Sequence, residues 1–169
     1  MISSTNRAGS RTRIVAETYY HILKQKGVGT EFLSLEDLPN DFLVSNMYGS
    51  STKDVDNIVE SKIKSVDKYI FVMPEYNGGY PGILKLFIDG ISPVHFYDKK
   101  AGLVGLSSGK QGNSRGMDAF TNILNYMRVN VLYKKPKLSN IETLIIDDKL
   151  IDQASLDALH IHADEFIRF

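Results

Sequence analysis

Cysteine is missing from all 169 residues, which removes disulfides, thiol redox chemistry, iron–sulfur clusters and a cysteine nucleophile together. Net charge is missing too, since 20 Lys+Arg balance 20 Asp+Glu. A neutral chain is a poor nucleic-acid carrier or general anion scavenger. No apolar run approaches the roughly 18 residues of a membrane span, and no signal-peptide core opens the chain. There is no Asn-x-Ser/Thr acceptor, no repeat and no low-complexity tract. What these absences leave is a soluble cytoplasmic domain over 1–169, with no nucleic-acid or membrane partner and a length suited to one core.

The neutral total hides local segregation. Residues 1–27 hold five basic residues against Glu17, and residues 99–137 hold eight against Asp118. The stretches 31–60 and 142–165 each hold seven acidic residues against one lysine. Such blocks suit solvated faces. They also suit two basic regions converging on one anionic ligand.

Periodicity supplies the architecture. Helical spacing of apolar residues marks Ser10 to Lys26 (stopped by Gly27), Val55 to Val66, Pro81 to Ile91, Met117 to Met127, and Leu150 to Phe169. Thr30–Leu35 and Val129–Tyr133 read as strands. Tyr69–Met73 and Ala101–Leu106 are apolar at nearly every position, the habit of strands buried on both faces of a parallel sheet. Strands alternating with helices predict an α/β fold, and the best fit is a flavodoxin-like doubly wound sheet of about five parallel strands, order 2-1-3-4-5, with helices on both faces. Only Met1 to Ser4 precede the first loop, so the strand expected near the middle of this order is either very short or lacks its natural start.

Three loops would open on the carboxyl edge of such a sheet. The first runs from Ser3 to Thr12 and offers hydroxyls, two guanidinium groups and a helix N-terminus, the chemistry of a phosphate monoester cradle. It equally reads as a Ser10 helix cap beside two solvated arginines. The second, Pro74 to Pro81, carries Asn77-Gly78-Gly79, which lets backbone amides approach a flat ring, and Tyr76 and Tyr80, which offer aromatic surface. An ordinary strand-to-helix turn uses the same residues. The third, Ser107 to Gly112, offers small residues around a ligand edge or a plain surface loop.

Several patterns point nowhere. Gly105 to Lys110 falls one residue short of a Walker loop and lacks its hydroxyl. No Gly-x-Gly-x-x-Gly occurs. His160 and His162 diverge on a helix and make a poor metal pair. Asp54 and Asp56 suit a helix start, and a response-regulator receiver would need carboxylates where this chain has serines. No metal site is assigned.

Taken together, the loops resemble the NADPH-dependent FMN reductase family, which includes the flavodoxin-like azo, chromate and quinone reductases. The second-loop motif stands as Pro74-Glu75-Tyr76-Asn77-Gly78, Pro81, Leu84-Lys85 and Ile88-Asp89. In the first loop Arg7 and Ser10 match, with Ser4, Thr5 and Thr12 replacing Gly, Ser and Asn. The third-loop pattern of hydroxyl residues followed by glycine matches Ser107 to Gly112. The resemblance implies FMN as cofactor and NAD(P)H as co-substrate, with a hydride passing through the flavin to a quinone, azo or similar small-molecule acceptor. It implies that Thr5, Asn6, Arg7, Ser10 and Thr12 hold the flavin phosphate. Pro74, Glu75, Tyr76, Asn77 and Gly78 would supply backbone N–H groups to the ring's polar edge, and Ser107, Ser108 and Gly109 would flank its other side. No catalytic side chain is named, because the cofactor does the chemistry; Glu75 reads better as a paired carboxylate than as an acid. The alternative is a flavin-binding electron shuttle or redox-sensing partner protein with no nicotinamide turnover; a cofactor-free interaction domain is a third reading.

The helix after the second loop predicts a partner. Ile83, Leu84, Leu86, Phe87, Ile88 and Ile91 spread over about 200° of its surface, more than one sheet covers. A homodimer is therefore expected there, with the apolar loop of Leu43, Val44, Met47 and Tyr48 as a further cap or as an intrachain cover. The resemblance also implies dimers or tetramers.

Overall fold

The two runs that are apolar at nearly every position become the longest strands, β3 (Lys68–Pro74) and β4 (Lys100–Leu106), paired in parallel from Lys68↔Lys100 to Pro74↔Leu106. A computed structural model describes residues 1–47 and 49–169, without the side chains of Leu43 and Val44. β1 (Ile2–Ser3) lies between β3 and β2 (Leu33–Ser34), parallel to both, and with β5 (Asn130–Val131) the sheet order is β2-β1-β3-β4-β5, flavodoxin-like as anticipated. The first strand is short and nonetheless central.

Alternation along β3 assigns its side chains to two cores. Tyr69, Phe71 and Met73 face α3 (Lys53–Ile58) with its helical continuation Val59–Lys64, α4 (Gly82–Asp89) and α5 (Ser114–Tyr126), in one cluster with Ile63, Phe87 and Phe120. Ile70 and Val72 face α1 (Arg11–Gln25) and α7 (Gln153–Arg168), meeting Val15, Tyr19, Leu159 and Phe166. Helices thus cover both faces, as a sheet buried on both sides requires.

Three elements differ from expectation. The second strand is two residues rather than six. The fifth strand is broken into β5 (Asn130–Val131) and β6 (Lys137–Leu138), both parallel to β4. Ala101↔Val131 and Gly105↔Lys137 span four residues on β4 but six on its neighbour, so two extra residues bulge out, next to a proline without an N–H. The last helix starts at Gln153, capped by Asp152 accepting from the Ser155 amide at 2.8 Å, and not at Leu150. Leu150 belongs instead to a hairpin, β7 (Ile145–Ile146) and β8 (Lys149–Leu150), which follows the short helix α6 (Ile141–Leu144). Asp147 and Asp148, with φ of 48° and 55°, form its left-handed turn.

The wide apolar arc of α4 is covered within the chain more than its periodicity suggested. Leu84, Phe87, Ile88 and Ile91 are buried, and only Ile83 and Leu86 are half-buried. Phe42, in the short helix α2 (Phe42–Ser45), stacks on Phe87 with ring centroids 6.3 Å apart, and Asn46 Nδ2 donates to the Gly90 carbonyl at 2.6 Å. Leu43 and Val44 side chains and Tyr48 lie outside the description; Met47 lines a groove between α4 and α5.

Candidate functional site

The first loop leaves the sheet beside β3, where the Ser4 amide donates to the Val72 carbonyl at 2.9 Å. Thr5 follows, buried, its Oγ1 hydrogen-bonded to the Tyr76 hydroxyl at 2.8 Å and accepting from the Arg7 amide at 3.3 Å. That bond ties the first loop to the second. Ser10 caps α1, its Oγ accepting from the Arg13 amide at 3.3 Å. The two preceding amides, of Arg11 and Thr12, have no acceptor within the helix, as at any helix start. The cap reading and the anion reading therefore describe the same residues at once.

The three arginines of this region diverge. Arg13 meets Glu17 at 2.9 Å, Glu36 at 3.4 Å and Asp37 at 3.7 Å, and the Glu17 hydrogen bond leads in holding its guanidinium charged. Arg11 bridges Glu142 at 3.2 Å and Asp148 at 3.4 Å. Arg7 is exposed, lines the cleft, and makes no ion pair among the described residues. Four of the segregated cations, Arg11, Arg13, Lys26 and Lys134, thus meet acids of the opposite blocks across the fold.

In the second loop the Glu75 amide extends the ladder to the Leu106 carbonyl at 2.8 Å. Tyr76 and Gly79 then exchange backbone bonds of 2.9 and 3.0 Å around Asn77 (φ 50°) and Gly78 (φ 77°), the left-handed pair that a two-residue turn demands. Pro74 has no N–H, and the amides of Glu75 and Tyr76 are engaged. Among the five residues Pro74–Gly78 this leaves Asn77 and Gly78 as uncommitted backbone donors, narrower than the set expected.

The third loop is shaped by Ser107, whose Oγ donates to the Gly109 carbonyl and accepts from the Gly112 amide, both at 2.8 Å. Asn113, fully buried at φ 61°, clamps the neighbouring loop. Its Nδ2 donates to the Met73 and Pro74 carbonyls at 3.1 and 2.9 Å, and its amide donates to Glu75 Oε2 at 3.2 Å. Glu75 is therefore a tethered carboxylate.

The loops meet in a cleft of about 370 Å³ lined by Arg7, Ser10, Thr12, Pro74, Glu75, Tyr76, Ser107 and Ser108 among the anticipated residues. Thr5 sits beneath it, bonded to Tyr76. Asn6, Asn77, Gly78 and Gly109 are not among the lining residues. Neither is any cation of 99–137, so the convergence of two basic blocks on one ligand is not what the fold makes; only Arg7 and Arg11 contribute. Gly9 and Arg11, in the first loop but not assigned to the phosphate, also line the cleft, as do Leu106, Ile141 and Glu142, which were not singled out. Ile141 and Glu142 come from α6, whose return to the cleft, through the Ile141 amide on the Ser107 carbonyl at 3.0 Å, has no local sequence signal. Asn113 had one faint signal, an Asn directly after a glycine and before a helix.

A family model described as NADPH-dependent FMN reductase matches residues 1–141. An NAD(P)H-dependent FMN reductase of Saccharomyces cerevisiae is 28% identical over 134 residues, covering 69% of this chain and 66% of that protein. An FMN-dependent NADH:quinone oxidoreductase of Caldicellulosiruptor saccharolyticus is 29% identical over 147 residues, covering 79% and 67%. The chain thus spans about two thirds of the length of these relatives. Among solved structures, the NAD(P)H:acceptor oxidoreductase FerB of Paracoccus denitrificans superposes with a TM-score of 0.76 at 22% identity, covering 99% of this chain and 93% of that one. Megasphaera elsdenii flavodoxin superposes at 0.60 with 16% identity, covering 96% and 97%. At these identities the superpositions speak for the fold.

Proposed function

The chain belongs to the NADPH-dependent FMN reductase family, and from that premise we propose that it binds FMN in the three-loop cleft and oxidises NAD(P)H at the expense of a small-molecule acceptor, a quinone or azo compound. The observation that carries this reading is that one cleft brings together a guanidinium with no ion pair among the described residues, a helix start and buried hydroxyls, opposite the second and third loops. The donor set fits a phosphate monoester: Arg7 is uncommitted, Ser10 and Thr12 are 7% and 1% exposed, and the N-terminus of α1 favours an anion. The two carboxylates in the lining are each engaged, Glu75 by the Asn113 amide and Glu142 by Arg11.

In this reading Arg7, Ser10, Thr12 and the first amides of α1 bind the phosphate, and Thr5 fixes Tyr76 above them. Asn77 and Gly78, which follow Tyr76 of the lining, would offer their amides to the ring's polar edge, and Ser107 to Gly109 would flank its other side. FMN held there would supply the redox chemistry, the net transfer of a hydride from NAD(P)H to the acceptor with one proton taken from water. The protein positions and needs no base of its own; Glu75, held by Asn113, keeps the loop in shape.

Mass spectrometry of the released cofactor and steady-state NADPH oxidation by the FMN-loaded protein test the proposal. FMN with acceptor-dependent turnover supports it; FMN without turnover replaces it by an electron shuttle; no flavin after reconstitution overturns it. A cytoplasmic location, where NAD(P)H is regenerated, belongs to the same proposal; no helix among the described residues is long and apolar enough to cross a membrane. So does a homodimer on α4, whose remaining support is half-buried Ile83 and Leu86 and, between α4 and α5, a groove of about 600 Å³ lined by Met47, Ile88 and the exposed Tyr126. Sedimentation of wild type and Leu86→Glu checks it: a dimer is expected for the first and a monomer for the second.

A further inference from the structure

The cleft's two cations are in different states, and the difference has a structural cause. Arg11, the first residue of α1, is held by Glu142 Oε2 on its Nε at 3.2 Å and by Asp148 Oδ1 on its Nη1 at 3.4 Å. These partners come from α6 and from the turn of the β7–β8 hairpin, so the three side chains form a strap from the helix start to the far wall. Asp148 is brought there by its left-handed backbone, φ 55°, directly after Asp147 at 48°. Arg11 and Glu142 both line the cleft.

We propose that this Arg11–Glu142–Asp148 strap makes the cleft selective for a flavin carrying one phosphate and excludes a flavin dinucleotide. The inference rests on the flavin reading above. One guanidinium between two carboxylates gives the strap a net charge of −1, and it leaves Arg7 as the one cation of the lining without an ion pair among the described residues. A terminal phosphate needs a single cation and the start of α1. A dinucleotide adds a second phosphate bonded to the first. Bound next to the start of α1, that group would find Arg11, the first residue of the helix, already engaged, and would face a strap of net negative charge. The exclusion is electrostatic and requires no closure of the cleft.

The test is fluorescence titration of the apoprotein with FMN and with FAD, for wild type and for Glu142→Gln/Asp148→Asn. Both acids are exposed, at 58% and 85%, so the variant is expected to fold; its melting temperature checks this. Releasing Arg11 is expected to tighten FAD about tenfold and FMN less than about threefold, so that the preference for FMN narrows. Adding Arg11→Gln to the double variant should remove the gain, because the freed cation makes it. Asp164→Asn, which breaks an exposed pair with Lys26 elsewhere, should leave the FMN-to-FAD ratio at the wild-type value. Wild-type preference for FMN that survives unchanged in the double variant overturns the strap while leaving the flavin reading intact. Wild type that binds neither flavin overturns both.

Discussion

At the amino ends of β3 and β4, three lysines are committed to backbone carbonyls; at the carboxyl ends Arg7 makes no ion pair among the described residues. Lys68 donates to the Phe166 and Ile167 carbonyls at 3.2 and 3.0 Å, in the last turn of α7. Lys99 donates to Ile63 and Lys64 at 2.6 and 3.3 Å, where the helix continuing from α3 ends, and Lys100 reaches the Phe169 carbonyl. A parallel sheet wound with helices collects helix C-termini at one edge and N-termini at the other. One edge needs cations to satisfy its orphan carbonyls, and here they come from the first residues of the strands and the residue before them. The other edge presents amides, and an anion can satisfy those from outside. The amino edge is closed by the chain's own charges; the carboxyl edge keeps the amides of a helix start, which an anion can satisfy.

That contrast holds only while the sheet between the edges is intact, and acid is the most severe way to break it. His162 is fully buried, its Nδ1 hydrogen-bonded to the Tyr19 hydroxyl and its ring stacked on Phe166. Burial pulls its pKa from 6.5 to about 4. An unfolded chain binds this proton already near pH 6.5, whereas the folded chain refuses it until about pH 4. Stability is therefore full above the upper value and falls as pH drops through the window, by about 3 kcal/mol from this group. Urea unfolding against pH should show that decline, and Tyr19→Phe/His162→Phe, which removes both polar partners, should flatten it by a similar amount.

A second break targets the packing that holds the third loop at the carboxyl edge. A Cβ on Gly105 would lie 2.2 Å from the Gly112 carbonyl oxygen and 2.7 Å from Met117 Cε. Gly105→Ala should therefore cost about 2 kcal/mol by displacing backbone, not only a flexible side chain. Denaturant midpoints measure it, and flavin affinity should fall along with stability.

How far all this could be read in advance depends on the range of the interaction. β3 and β4 were legible because burial on both faces makes their residues apolar almost throughout, and helices α1, α4 and α5 because their stripes are local. The broken fifth strand was not: its two extra residues show only against the register of β4. The hairpin at Ile145–Leu150 was hidden because its turn is Asp147-Asp148 and not Asn-Gly. In the cleft, eight of the anticipated residues line the wall because parallel strands bring their following loops to one edge whatever the details. Arg11's partners and Asn113's clamp escaped, since each depends on where a distant segment returns. Five consecutive second-loop residues also overstated the free amides, because Tyr76 and Gly79 close on each other.

The comparison is sharpened by removing one cation of each kind from the carboxyl side. Arg7→Ala should weaken FMN about thirtyfold, or ~2 kcal/mol, because it deletes an uncommitted charge-assisted donor. Arg13→Ala should leave FMN affinity within about twofold, since its three acidic partners lie away from the cleft lining. Fluorescence titration decides between them; equal dissociation constants for the two variants would count against a phosphate at Arg7. The unfolding free energy of Arg7→Ala should stay within about 0.5 kcal/mol of wild type, as for exposed positions generally.

The smallest effect is expected at the opposite edge and should have the opposite signature. Lys99 is half-buried, lies 5.5 Å over the Tyr69 ring, and bonds the terminal carbonyls of the helix continuing from α3. Burial lowers its pKa below the ordinary lysine value, with Asp67 opposing, so its charge is kept at some desolvation cost and the net benefit is modest. Lys99→Met keeps the aliphatic stem against Tyr69 and removes only the ammonium. The Ile63 carbonyl retains a second donor, the Tyr69 hydroxyl at 2.8 Å, which limits the loss further. We expect about 0.5–1 kcal/mol of lost stability, the ordinary contribution of a cation at a helix C-terminus, measured by urea unfolding at neutral pH. Flavin affinity should not move, because Lys99 is absent from the cleft lining and lies at the other end of β4. A loss of FMN binding in Lys99→Met, at unchanged stability, would mean that the two edges are coupled through β4 and that their separate roles do not hold.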